Sequence, residues 1–149
     1  MAQTQPNFII IFTDDQGYND LTCFNSEDIK TPFIDKMASQ GARLASFYDG
    51  APLCAPSRAS LLTVCYSQRV AERDGEKYYH TILDSSEILM PEVLKSAGYA
   101  TCAVGKWHLA GNKQQAVVTD ESKQEMQQYS MVDSSIMPCQ KGFDQYFGI

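Results

Sequence analysis

Cys54-Ala55-Pro56-Ser57-Arg58, running on through Ala59-Ser60-Leu61-Leu62-Thr63, is the stretch on which the fold turns. Pro56 presets φ for a first helical turn, Ser57 can cap it, and Ala59, Leu61 and Leu62 favour helix. Cys54 is then expected just before a helix N-terminus, where the partial positive charge favours an anion and Arg58 adds a fixed cation. Taken alone, the pentapeptide reads equally well as a buried cysteine beside a surface arginine, because short motifs recur by chance.

Upstream, Phe8-Ile9-Ile10-Ile11-Phe12 is a continuous apolar run expected to form a strand covered on both faces, as parallel strands are. It would deliver Asp14 and Asp15 to its C-terminal end, the place where open α/β sheets bind ligands and where paired carboxylates suit a hard cation. On its own, Asp-Asp-Gln-Gly reads far more readily as a solvated turn, and only beside Cys54 and His108 does the cation reading prevail. Thr31-Pro32 opens a predicted helix with Phe33, Ile34, Met37 and Ala38 on one face and Gly41 as its stop. Residues 43–48 then read as a second strand, completing a βαβ unit that points at the Cys54 loop.

Downstream, Glu72 to Lys77 reads as a solvated turn, and His80, with no motif around it, as structural. A helix is expected from Pro91 to about Ala97, with Val93, Leu94 and Ala97 inward and Gly98 closing it. Residues 101–104 form a short predicted strand ending at Gly105-Lys106-Trp107-His108. From residue 112 to 140 the pattern loses its period, with one helical stretch expected from Glu121 to Tyr129. The apolar end at Phe147-Gly148-Ile149 reads as a chain that is cut.

The 149 residues suffice for one domain burying about two-thirds of its unfolded surface. A net charge of −6 argues against nucleic acid or an anionic membrane as partner. No run of apolar residues is long enough to cross a membrane, and residues 1–6 carry no basic and apolar leader pattern. The five cysteines are odd in number and lack a Cys-x-x-Cys pair, which argues against a disulfide framework or a structural zinc site. Cys23, Cys65, Cys102 and Cys139 are expected as small buried or half-buried hydrophobes.

The Cys54 stretch resembles the sulfatase signature, Cys-x-Pro-Ser-Arg followed by Leu-Leu-Thr. Asp14-Asp15-Gln16-Gly17-Tyr18 upstream, and Gly98-Tyr99-Ala100-Thr101 leading to Gly105-Lys106-Trp107-His108-Leu109 downstream, resemble two further sulfatase stretches in family order. The likeness is good over residues 6–111 and weaker from Lys141 to Ile149, with 112–140 as an irregular insertion. It implies an α/β fold of the three-layer, alkaline-phosphatase-like type with a mostly parallel sheet, truncated after its N-terminal strands and helices.

The resemblance also implies a mechanism. A dedicated maturation enzyme oxidises the cysteine matching Cys54 to formylglycine, whose hydrate attacks a sulfate ester and then expels sulfate. Asp14, Asp15 and modified Cys54 would bind Ca²⁺, or Mg²⁺ in its place. Arg58 would hold the modified residue, offset developing charge and help bind substrate, Lys106 would contact the sulfate or the diol oxygen, and His108 would be the base. The substrate would be a sulfated small molecule or glycan. The family is often periplasmic or secreted, which leaves the compartment open.

Two residues depart from the pattern: Val64 stands where the family usually carries glycine, and Ala110 where glycine often follows. The family completes its metal and sulfate sites with an Asp-Asn pair, a lysine and a histidine from later in the chain. No such pair occurs downstream here, so this chain alone is expected to turn over little or nothing. An inactive sulfatase-like remnant or binding domain, and a phosphate or phosphonate monoester hydrolase of the same superfamily, are the alternatives.

Overall fold

A computed structural model describes residues 5–70, 83–110, 113–118, 126–131 and 133–148. Two compact units divide the chain, residues 1–47 and 48–149. The turn expected at Glu72 to Lys77, and His80, read as structural or peripheral, lie outside the described residues.

In the first unit, helix α1 spans Pro32–Gln40, with Pro32 in its first turn and the Gly41 N–H bonded to Met37 O at 2.9 Å. Thr31 precedes it as expected, but its hydroxyl bonds to the Asp35 carboxylate at 3.2 Å instead of capping the backbone. The same residue's Oγ1 receives the Thr22 N–H at 3.0 Å, tying α1 to the Thr22–Phe24 turn. Arg43 packs its guanidinium 5.5 Å from the Phe24 ring centroid and donates to Cys23 O.

Both strands expected in this region are corrected. Residues 8–12 form no ladder with any described residue, and their side chains are 38–86% exposed. Residues 43–48 are broken by a turn at Ala45 and Ser46. A strand exists through its neighbour's hydrogen bonds, and neither apolar run joins a ladder among the described residues.

The second unit holds α2 (Cys54–Thr63), α3 (Ser67–Val70), α4 (Met90–Ser96), β1 (Cys102–Val104), β2 (Lys113–Val118), β3 (Met126–Met131) and β4 (Gln145–Phe147). β1 and β4 pair in parallel with Ala103 opposite Tyr146, the half-buried pair of the ladder. Asp144 sets this register: its carboxylate accepts the Thr101 N–H at 2.9 Å, and its own N–H bonds to Thr101 O at 2.9 Å. β2 and β3 pair antiparallel, with Lys113 opposite Met131 and Val118 opposite Met126. That ladder replaces the helix expected from Glu121 to Tyr129 wherever the residues are described, because 126–129 lie within β3.

The core joins Ala59, Val70, Leu83, Leu89, Trp107, Leu109, Ala110 and Ile136. Leu94 is half-buried, but Val93 and Ala97 of α4 face outward, correcting their expected inward placement. The Glu92 carboxylate receives the Leu89 N–H at 2.8 Å at the start of α4, and Gly98 ends it at a φ of 87°. Gly142, at φ 92°, lies so close to this turn that an added Cβ would come 2.4 Å from the Glu92 nitrogen. Next to it Lys141, only 4% exposed, is fully engaged: its Nζ donates to Ser85 O at 3.1 Å and Glu87 O at 2.5 Å and pairs with Glu92 at 3.3 Å. All five cysteines are free thiols; Cys65, Cys102 and Cys139 are exposed, correcting their expected burial, and Cys23 is half-buried. Among the described residues no helix is long and apolar enough to cross a membrane.

α2 ends at Val64, which takes φ 56° and ψ 31°. This left-handed conformation costs a β-branched residue about 1–2 kcal/mol, and Val64 recovers little by packing because it is 79% exposed. Val64→Gly is therefore expected to stabilise the chain by about 1 kcal/mol, read as a raised midpoint in urea unfolding at unchanged slope.

Asp144 also carries a pH dependence. The ion pair with Lys95 at 2.7 Å, followed by the Thr101 N–H, lowers its carboxyl from 3.8 to about 2. The folded value lies below the unfolded one, so the stabilisation is complete above 3.8 and disappears as pH falls through about 2. Acid unfolding of wild type and Asp144→Asn, followed by circular dichroism, should differ at neutral pH and converge at the acid end.

Candidate active site

α2 carries Cys54. Cys54 is its first helical residue, with Leu53 as the extended N-cap and the Ser57 N–H closing on Leu53 O at 3.1 Å. This corrects the expectation that Cys54 precedes the helix. It also corrects Ser57 as a cap, because the buried Ser57 hydroxyl donates to the Asp49 carboxylate instead.

The facing wall is the turn after β1. Gly105 leaves the ladder at φ 104°, and its N–H bonds to Phe147 O at 2.8 Å. Trp107 is then drawn into the core, its Nε1–H donating to Ile136 O at 2.9 Å and its ring edge-on to Phe143 at 6.1 Å. His108 follows in the left-handed region at φ 56°. The outcome is a direct contact between side chains 54 residues apart, Cys54 Sγ to His108 Nδ1 at 3.3 Å.

Arg58, one helical turn beyond Cys54, donates from Nη1 to Lys106 O at 2.5 Å. That bond links the second turn of α2 to the turn carrying His108, and it brings the Arg58 charge and the Lys106 backbone to the same wall. Thus Cys54, Arg58, Lys106 and His108, all singled out from the sequence, lie within one connected set of contacts. Asp49 was missed. An Asp-Gly pair reads as an ordinary turn, and only its position just ahead of the motif signals more.

Asp14 and Asp15 belong to the first unit, both exposed, with Asp15 at φ 56°. Ca²⁺ takes about six to eight oxygen ligands, and two adjacent carboxylates supply only part of such a shell. Among the described residues no group of three or more His, Cys, Asp or Glu side chains could hold a metal ion. The residues described therefore do not by themselves fit a closed calcium site.

Comparison with known proteins sets this geometry in context. The family model described as Sulfatase matches residues 6–149. Mouse steryl-sulfatase is 35% identical over 155 residues, covering 99% of this chain and 22% of that protein. Rat arylsulfatase G is 37% identical over 150 residues, covering 97% and 24%. A solved structure from work on glycosaminoglycan metabolism by Bacteroides thetaiotaomicron has 33% identity and a TM-score of 0.67, covering 97% of this chain and 28% of that one. The crystal structure of Ps i-CgsB, also solved in complex with k-i-k-neocarrahexaose, has 28% identity and a TM-score of 0.67 over 91% of this chain and 26% of its own. These matches agree with the expected α/β class, and the chain spans about a quarter of the length of the curated relatives it matches. Matched over nearly its whole length, the chain belongs to the sulfatase family.

Proposed function

We propose that this chain is the N-terminal part of a sulfatase catalytic domain that hydrolyses sulfate esters, with Cys54 as the precursor of its nucleophile. The 3.3 Å approach of Cys54 Sγ to His108 Nδ1 is the observation that carries the reading. Oxidised to formylglycine by a maturation enzyme, Cys54 would supply as its hydrate one hydroxyl to attack sulfur and a second whose deprotonation releases sulfate.

His108 Nδ1 is near enough to the Cys54 side chain to take up that proton. Arg58, held to the Lys106 carbonyl, keeps a fixed charge within one turn of the reacting centre and offsets charge developing on the sulfate. Lys106 would hold a sulfate oxygen through its ammonium. Asp14 and Asp15 would contribute two carboxylates toward Ca²⁺, or Mg²⁺ in its place.

The substrate class is a sulfated small molecule or glycan. The glycan option draws support from the relative solved with neocarrahexaose. The short length relative to the family and the partial ligand set favour little or no turnover by the 149 residues alone.

The decisive test joins mass spectrometry to kinetics. Coexpression with a maturation enzyme should convert the Cys54 peptide from thiol to aldehyde. A full-length relative carrying these motifs, given Ca²⁺ and a chromogenic aryl sulfate, should release the phenol. Cys54→Ala should abolish release, and His108→Ala should lower kcat by about 10²–10⁴-fold with KM little changed. A persistent thiol would favour the non-catalytic remnant, and faster cleavage of the matching aryl phosphate would reassign the activity to phosphate esters. A fully converted protein releasing no phenol would sink the hydrolase reading.

A further inference from the structure

We propose that Asp49 is a positioning residue that sets Cys54 against His108, a role that rests on reading Cys54 as the pre-nucleophile. Asp49 acts through Ser57. Its Oδ1 accepts the Gly50 N–H at 2.6 Å while its Oδ2 accepts the hydroxyl of buried Ser57. One carboxylate thus ties the loop before Cys54 to the first turn of the helix that carries Cys54.

Two further contacts make this loop a tight strap. An added Cβ at Gly50 would lie 2.8 Å from both Cβ and Oγ of Ser60, so the loop backbone presses directly on α2 and only glycine fits. Gly50 O accepts the hydroxyl of fully buried Ser67 at 3.3 Å, fastening the strap to α3 as well. From Gly50 the chain passes through buried Ala51 and reaches Leu53, whose carbonyl takes the Ser57 N–H at 3.1 Å. Ser57 is therefore held by its backbone to the residue before Cys54 and by its side chain to Asp49. The rotation of this first turn decides whether the Cys54 side chain meets His108, and Asp49 fixes that rotation.

The test uses the unmodified chain and no sulfate ester. A brief pulse of iodoacetamide followed by peptide mass spectrometry gives the alkylation rate of Cys54 relative to exposed Cys65. The 3.3 Å contact with His108 Nδ1 makes Cys54 the more reactive thiol, so the relative rate reports how well the pair is held. Asp49→Ala is expected to lower it by about fivefold, and Ser57→Ala to do the same. Asp49→Asn should restore it, since its amide nitrogen can donate to Ser57 Oγ while its oxygen still accepts the Gly50 N–H.

In a His108→Ala background, Asp49→Ala should change the rate by less than about twofold, because the contact it maintains is already gone. An Asp49→Ala protein with native circular dichroism and an unchanged ratio would overturn the proposal. An equal drop in the His108→Ala background, or an Asp49→Asn protein as slow as Asp49→Ala, would overturn it too. If Asp49→Ala does not fold, Ser57→Ala and Asp49→Asn decide on the same criteria. A failed aryl sulfate assay would remove the hydrolase reading and leave this result intact.

Discussion

A buried indole underlies the contact between Cys54 and His108. Trp107 occupies the core of the second unit with its single N–H satisfied by Ile136, and it lies between Lys106 and His108 in sequence. On its far side Leu109 is fully buried, and its carbonyl receives the Leu83 N–H at 3.3 Å. With both neighbours anchored, His108 is kept in a left-handed conformation that a histidine adopts only at a cost of about 1 kcal/mol or more. That conformation turns its ring toward Cys54. Packing supplies the geometry, and the hydrogen bond between Arg58 and the Lys106 carbonyl keeps the helix side in step with it.

The chain carries −6 overall, and its Arg58 guanidinium is fixed on the Lys106 carbonyl, in the turn that carries His108. Lys141 is a second cation held by carbonyl oxygens. Buried and bound to two carbonyls and a carboxylate, it fastens the Ser85 to Glu87 turn to the start of α4 and is spent on structure.

What could be read from the residues alone follows how local each feature is. α1, α2 and α4 are short-range structures with proline in the first turn, and their positions were largely readable, to within a residue at the start of α2. Cys54, Arg58, Lys106 and His108 were singled out by motif, and contacts between α2 and the turn after β1 connect them. The strands expected at 8–12 and 43–48 were not, since a ladder depends on a distant partner that apolar composition does not specify. The β2 and β3 pairing was hidden for a different reason: Gln, Ser and Met at 113–131 give no period-two alternation. Val64 was visible as a departure from glycine, and its φ of 56° gives that departure a physical cost. Asp49 was invisible, because its partner Ser57 had a more obvious use as a cap.

The parallel pairing of β1 with β4 also fixes the order in which the molecule can be built. Thr101 and Asp144 are 43 residues apart, so bringing them together costs about 3 kcal/mol of chain entropy before any ladder bond compensates. Gly105, where the histidine turn begins, donates to Phe147 O, almost the last residue described. On a ribosome the cysteine motif therefore emerges long before the strand that completes its surroundings. Throughout that interval Cys54 remains an unsheltered thiol on a nascent chain, open to any enzyme able to reach it.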